Sequence, residues 1–164
     1  MGSEEVGINY ANGPIAASYS SLKQDRNGVN TTSTTVDTTS SRVNTLGANY
    51  TMGAAKFFLL NQTNKASDNS TNTTFTSVSA TYAIGATTLM AQVGELKADA
   101  GTYAGKKSKL AGLGADYALS KRTALYARYE SIDDKAGVVA ITGFTAATGN
   151  DKRTRTAFGL RHSF

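Results

Sequence analysis

The chain has 164 residues, a formal net charge of +5, 16 Gly, one Pro, one His and neither Cys nor Trp. The lack of cysteine excludes a disulfide framework, a thiolate metal site and a cysteine nucleophile, and a lone His162 excludes a histidine triad or cluster. No stretch approaches the ~20 consecutive apolar residues of a helical membrane span, Met1-Gly2-Ser3-Glu4-Glu5 leads into no signal-type apolar segment, and the 17 Lys and Arg form no long basic run of the kind that binds nucleic acid.

Side chains alternate with a period of two, the mark of strands with unlike faces. A first strand over about 4–12 puts Val6, Ile8 and Tyr10 on one face, and Asn12-Gly13-Pro14 turns it into a second over 15–24. After a polar stretch, 25–40, a third strand over 41–51 places Leu46, Ala48 and Tyr50 opposite Gly47 and Asn49. Thr51-Met52-Gly53-Ala54 leads to a fourth, 55–62, where Phe57-Phe58-Leu59-Leu60 leaves the facing open. The polar stretch 63–72 precedes a fifth strand, 73–83, with Val78, Ala80 and Tyr82; Ile84-Gly85 turns into a sixth, 86–97. Beyond 98–107, a seventh strand over 108–118 carries Ala111, Leu113, Ala115 and Tyr117 on one face and Gly112, Gly114 and Asp116 on the other. Leu119-Ser120-Lys121-Arg122 turns into an eighth over 122–133 with Leu125, Ala127 and Tyr129; after 134–151 a ninth over 152–164 alternates Phe158, Leu160, His162 and Phe164 with Gly159 and Arg161.

These elements predict an all-β, antiparallel, up-and-down sheet with short turns at one edge and long polar loops at the other, the layout of a transmembrane β-barrel. A repeat sharpens this. Ile8-Asn9-Tyr10, Ala48-Asn49-Tyr50, Ala80-Thr81-Tyr82 and Ala115-Asp116-Tyr117 each end a strand before a short turn, at spacings of 40, 32 and 35 residues, one hairpin per repeat. Tyr10, Tyr50, Tyr82 and Tyr117, with Phe164, form the predicted aromatic girdle, because a Tyr ring favours the apolar side of a headgroup boundary while its hydroxyl stays wet. Were the same tyrosines core residues, the chain would be a soluble β-sandwich or barrel binding module. Against that, the apolar face is rich in Ala and poor in the dense Leu, Ile, Val and Phe of a packed interior. Lipid fills gaps and asks only that a surface be apolar.

The terminal strand, Arg153 through Phe164, ends on an aromatic residue with apolar residues at alternate positions before it. Phe158, Leu160, His162 and Phe164 thus resemble the C-terminal assembly signal of bacterial outer-membrane barrels. Together with Gly114-Ala115-Asp116-Tyr117-Ala118-Leu119-Ser120-Lys121-Arg122-Thr123-Ala124-Leu125-Tyr126, this strand is similar to the C-terminal half of the general diffusion porins of Gram-negative bacteria, of the β-proteobacterial type. The hairpin pattern extends over the whole chain; the specific motifs lie in its last third. The resemblance implies an outer-membrane barrel of about sixteen strands, a homotrimer, passive diffusion of small hydrophilic solutes and ions, contact with outer-membrane lipid and lipopolysaccharide, and insertion by the outer-membrane assembly machinery. It further implies that residues 1–164 are the C-terminal portion of one barrel domain, without its N-terminal half or signal peptide. Strand parity agrees, since the first and ninth strands both run toward the short-turn edge and nine antiparallel strands cannot close a barrel.

Charge on the polar face would set ion preference, because a pore wall acts through the field in a narrow channel. Alternation places Arg128 and Glu130 on the eighth strand and Arg153, Arg155 and Arg161 on the ninth on that face, with Lys56 on the fourth if its facing allows. Five of these six are cationic, and a modest anion preference is expected; Arg153 and Arg155 have an alternative as rim residues or partners of Asp151. Loop charges such as Lys65, Asp68, Asp99, Lys106 and Lys107 are expected to be solvated, with lipopolysaccharide phosphates as the other reading. No catalytic, cofactor or metal site is expected. Asp133-Asp134 is too short for calcium, Gly101 to Ser108 imitates a phosphate loop with the wrong spacing, and a lipid-modifying barrel enzyme would need a nucleophile beside a base, which His162 on the apolar face does not offer.

Overall fold

A computed structural model describes residues 2–25, 28–29, 36–37, 39–70, 72–101, 103–134 and 152–164. Its strands are β1 (Ser3–Asn12), β2 (Ile15–Asp25), β3 (Gly28–Val29), β4 (Val36–Asp37), β5 (Ser40–Met52), β6 (Ala55–Ala66), β7 (Asn72–Ile84), β8 (Thr87–Ala100), β9 (Lys107–Ala118), β10 (Thr123–Asp133) and β11 (Lys152–His162). Nine of them form one sheet in the order β1-β2-β5-β6-β7-β8-β9-β10-β11, every neighbour antiparallel, while β3 and β4 pair only with each other. The long strands run 10 to 14 residues, enough to cross a bilayer at a tilt.

The turns at one edge follow from local chemistry. Gly13, Gly53 and Gly85 each take the first central position of a two-residue connection with φ of 55 to 58°, the left-handed geometry whose twist matches a hairpin and which glycine adopts without strain. The fourth turn has no glycine. There the Ser120 hydroxyl accepts hydrogen bonds from the amides of Arg122 and Thr123 at 3.2 and 3.1 Å, closing the turn from its own side chain.

At the opposite edge the strands outrun their predicted bounds. β6 continues to Ala66 and β7 begins at Asn72, so half of the predicted loop 63–72 is ladder; β8 likewise reaches Ala100 and β9 starts at Lys107. The cause is that Asn and Thr pair well across strands even where nothing apolar is gained. Asn61 Nδ2 donates to Thr76 Oγ1 at 2.8 Å, and the Ala66 amide donates to Asn72 Oδ1 at 3.0 Å. The ladder of β11 stops at His162, although the Ser163 amide still reaches the Arg122 carbonyl at 2.9 Å. Most of the predicted loop 25–40 and nearly all of 134–151 lie outside the described residues.

Because residues directly opposite each other share a face, the register defines both surfaces. One continuous row runs Asn12, Ile15, Tyr50, Phe57, Ala80, Ala91, Leu113, Tyr129 and Thr156. That surface has no partner among the described residues. Val6 is 73% and Phe158 77% exposed, and Ala98, at 2%, is the only buried apolar residue among the described ones. No second layer covers the sheet among the described residues, so the sandwich alternative, which needs two sheets packed about 10 Å apart, does not form.

Candidate functional site: the polar face of the sheet

The register places all six predicted wall residues on the polar face. Lys56 lies opposite Thr51 and Thr81 while its neighbours Phe57 and Leu59 point to the apolar side, which resolves the open facing of that strand. Phe58 therefore stays on the polar face, with the Lys56 ammonium 5.2 Å from its ring centroid. Arg128 and Glu130 on β10 lie opposite Ala157 and Arg155 on β11, and Arg153 opposite Ile132. Arg161 lies opposite Ala124, four residues nearer the short turns than Arg128.

Alternation alone did not show how far carboxylates neutralise these cations. Asp116 on β9 lies between two of them, its Oδ1 2.6 Å from Arg128 Nη2 and its Oδ2 3.7 Å from Arg161 Nη2. The first contact is a close ion pair rather than an aligned hydrogen bond, since Oδ1 lacks a directional donor. Arg128 spends its Nη1 donors on the carbonyls of Ala115 and Ala127, at 3.0 and 2.8 Å, and lies over the Tyr126 ring, 5.6 Å from its centroid. Glu130 takes Arg155 at 3.4 Å. Arg153 reaches the buried Asp134 carboxylate at 3.7 Å, and Asp134 also accepts a hydrogen bond from the Ser108 hydroxyl. The suggested partner of Arg153, Asp151, lies outside the described residues.

Glycines make this arrangement possible by leaving room beside large side chains. A Cβ at Gly114 would sit 3.0 Å from Arg128 Cδ and 3.2 Å from its Nη1, so the bare wall lets the guanidinium lie flat against β9. Gly159, opposite Tyr126, likewise leaves room for the phenol: a Cβ there would come within 2.7 Å of Tyr126 Cε1. Counting strand residues and Asp134 beside β10, the polar face holds five cations (Lys56, Arg128, Arg153, Arg155, Arg161) and four carboxylates (Glu5, Asp116, Glu130, Asp134) among the described residues. Most of this charge sits on β9 to β11; the same face of β2, β5, β7 and β8 is Ser, Thr, Asn, Gln and apolar. Asp116 was already on the polar face by alternation. Its role as shared counter-ion required the register.

The predicted girdle stands at the short-turn edge of the apolar face. Tyr10, Tyr50, Tyr82 and Tyr117 are each about half exposed there, opposite Ala17, Phe57, Leu89 and Leu125 respectively. His162 shares that face, its Nδ1 2.8 Å from Thr123 Oγ1 and its ring in an edge-to-face contact with Phe164, centroids 5.1 Å apart. Phe158 and Leu160 line up with Ala127 and Leu125.

A single antiparallel sheet, apolar and uncovered on one side, glycine-lined and charged on the other, is the wall of an outer-membrane β-barrel. The sequence model of the Gram-negative porin family matches residues 2–137, and the chain belongs to that family, which places it in the outer membrane of a Gram-negative bacterium. The match runs from the first strand, so the likeness is not confined to the last third of the chain. Among solved structures, an anion-selective porin from Comamonas acidovorans superposes with a TM-score of 0.72 at 24% identity, over 96% of this chain and 48% of that one. A second porin, refined at 1.8 Å, gives 0.64 at 16% identity, over 95% and 50%. These identities establish a shared fold, and the chain spans about half the length of each. No curated protein matches the chain.

Proposed function

We propose that this chain forms part of the wall of a water-filled channel through which small hydrophilic solutes and ions diffuse passively, with a modest preference for anions. The carrying observation is the pair of unlike faces: a sheet apolar toward lipid on one side and lined with paired charge on the other conducts water and ions along the polar side. Nothing in this reading calls for an enzyme, because passive diffusion needs only a wet lumen and a field. The anion preference rests on five cations against four carboxylates on the polar face, so it is weak, and the solved porin that resembles this chain is described as anion-selective. Homotrimer assembly, lipopolysaccharide contact and recognition of Phe158, Leu160, His162 and Phe164 by the assembly machinery belong to the same reading, supported by family membership. So does the assignment of residues 1–164 to the C-terminal portion of a single barrel.

The test is the reversal potential of the native protein, purified from outer membranes, in planar bilayers under a salt gradient. Anion preference is expected, reduced on replacing Arg128 and Arg161 by Ala and increased by Asp116→Asn, which unmasks both arginines. Cation preference in the native protein, or selectivity indifferent to all three changes, overturns the reading.

A further inference from the structure

Three glycines on the polar face lie under a flat group from a neighbouring strand. A Cβ at Gly94 would meet the Phe75 ring at 3.2 Å, one at Gly114 the Arg128 side chain at 3.0 to 3.3 Å, and one at Gly159 the Tyr126 ring, with Cε1 at 2.7 Å. A ring or guanidinium laid on bare backbone covers strand peptide that glycine cannot shield with a side chain of its own. Gly112, one rung from Gly114 on β9, breaks this pattern. A Cβ there would meet the Tyr129 carbonyl at 3.7 Å and Gln92 Cβ at 4.0 Å, both ordinary contacts, and no ring or guanidinium among the described residues comes that close.

The register shows why. Gly112 belongs to the row Ser79, Gln92, Gly112, Glu130, Arg155. On one side of it Glu130 pairs across to Arg155 on β11, at 3.4 Å, rather than over β9. The row thus forms a trough of about 550 Å³ floored by Gly112 and lined by Gln92, Glu130 and Arg155, with Met90 one rung toward the short turns and Leu110 one rung toward the loops. That volume falls within the ~300–1,000 Å³ of small-molecule sites.

The lining names the solute. A peptide floor between a thioether and a leucine accepts a flat apolar body, just as Gly94 and Gly159 accept Phe75 and Tyr126. An acid group on that body finds Arg155, whose side chain is 76% exposed and whose ion pair with Glu130 is long. Arg128, beside the trough over Gly114, adds positive field but commits its own donors to Asp116 and to the carbonyls of Ala115 and Ala127. A cationic solute fits less well, because Glu130 is the one carboxylate among the described residues of the trough and Arg155 already faces it. Competition from Glu130 for the same guanidinium also keeps the grip loose, and a channel needs binding strong enough to admit a solute and weak enough to release it.

We propose that the Gly112 trough is a binding site for small aromatic carboxylates, the ring lying on Gly112 between Met90 and Leu110 and the carboxylate meeting Arg155. The site rests on the polar face being the channel wall, and it names a solute class that this wall distinguishes from ringless anions of equal charge.

The native protein, purified from outer membranes, carries chloride current in planar bilayers while benzoate, cyclohexanecarboxylate, acetate or benzyl alcohol is added. Benzoate is expected to reduce the current by half at a concentration about 2- to 10-fold lower than cyclohexanecarboxylate, which is as apolar but not flat, and lower still relative to acetate; uncharged benzyl alcohol should leave the current unchanged. R155Q should raise the benzoate concentration about 10-fold or more, the loss of a charge-assisted hydrogen bond, and E130Q should lower it. Gly112→Val fits the strand but covers the floor, and should bring benzoate down to the level of acetate. Ala16→Val, in the same row on β2, should leave the preference intact. Heat-modifiable electrophoretic mobility and chloride conductance report whether each variant is folded and inserted. Equal action of benzoate and acetate, whether the floor lacks affinity or another part of the protein lies on it, overturns the site. So does an unchanged preference in conducting Gly112→Val or R155Q. A native protein that carries no chloride current would instead overturn the channel reading.

Discussion

On β10, Leu125, Ala127 and Tyr129 face one way, and Tyr126, Arg128 and Glu130 face the other. The first set touches little but solvent-accessible space, while the second is tied into ion pairs, a cation over a ring and close contacts on glycine. The same backbone serves two solvents and obeys two rules. Toward lipid, a side chain needs only to be apolar, because hydrocarbon fills whatever shape is left. Toward water, the wall must neutralise charge at short range, and there each position depends on its cross-strand neighbours.

The sharpest way to break this comparison is to put one charge on each face at adjacent positions. Val93 lies four residues from both Leu89 and Lys97, in the middle of the apolar band, and is 60% exposed; Gln92 faces the other way, opposite Ser79 and Gly112. Val93→Arg is expected to cost ~2–4 kcal/mol of stability in vesicles, the cost of a basic side chain at mid-membrane, and Gln92→Arg within ~0.5 kcal/mol. Denaturant unfolding of the lipid-inserted protein measures both. Equal costs would mean that the faces are assigned wrongly.

A smaller effect separates packing on one face from tolerance on the other. Gly159→Val drives a side chain into the Tyr126 ring, and such overpacking costs ~1–3 kcal/mol. Tyr126→Ala in the same chain should recover much of it, read as a double-mutant cycle of unfolding midpoints. On the lipid side, Ala91→Val meets no neighbour that must move and is expected to stay within ~0.5 kcal/mol. A Gly159→Val protein as stable as the native one would show that the close approach of Tyr126 is not required.

Much of this was legible because period-two alternation is a local signal. The nine strands, the three Gly-X turns and the four girdle tyrosines each follow from residues adjacent in sequence. Two things were not. Strand ends at the loop rim were hidden because Thr63, Asn64 and Asn72 look like loop residues, yet pair across a ladder as well as in a loop. The pairing of charge on the polar face was not readable because Asp116, Arg128 and Arg161 come from three strands and meet only through register.

Where β6 turns into β7, the distinction between faces ends and the smallest effect is expected. Asp68 Oδ1 accepts the Ser70 amide at 2.9 Å, and Asn69 takes a φ of 55° at the tip, an Asx-type turn that holds itself. The Ser70 backbone hydrogen bond holds the Asp68 carboxyl below its ordinary value of 3.8, because the bond favours the charged form. A lowered folded value means that the turn gains stability from ionised Asp68 above the ordinary value and loses it as pH falls through the lowered one. Protection of the Ser70 amide against hydrogen exchange should therefore hold steady from neutral pH down to about 3.8 and decline below it. Asp68→Asn keeps the acceptor and removes the charge, so its protection should not vary with pH across that window. Because the carboxylate is fully exposed, the change should stay in the hairpin tip, leaving amides in the ladder below Lys65 unaltered; protection that rises on acidification would mean that the neutral carboxyl is the better partner.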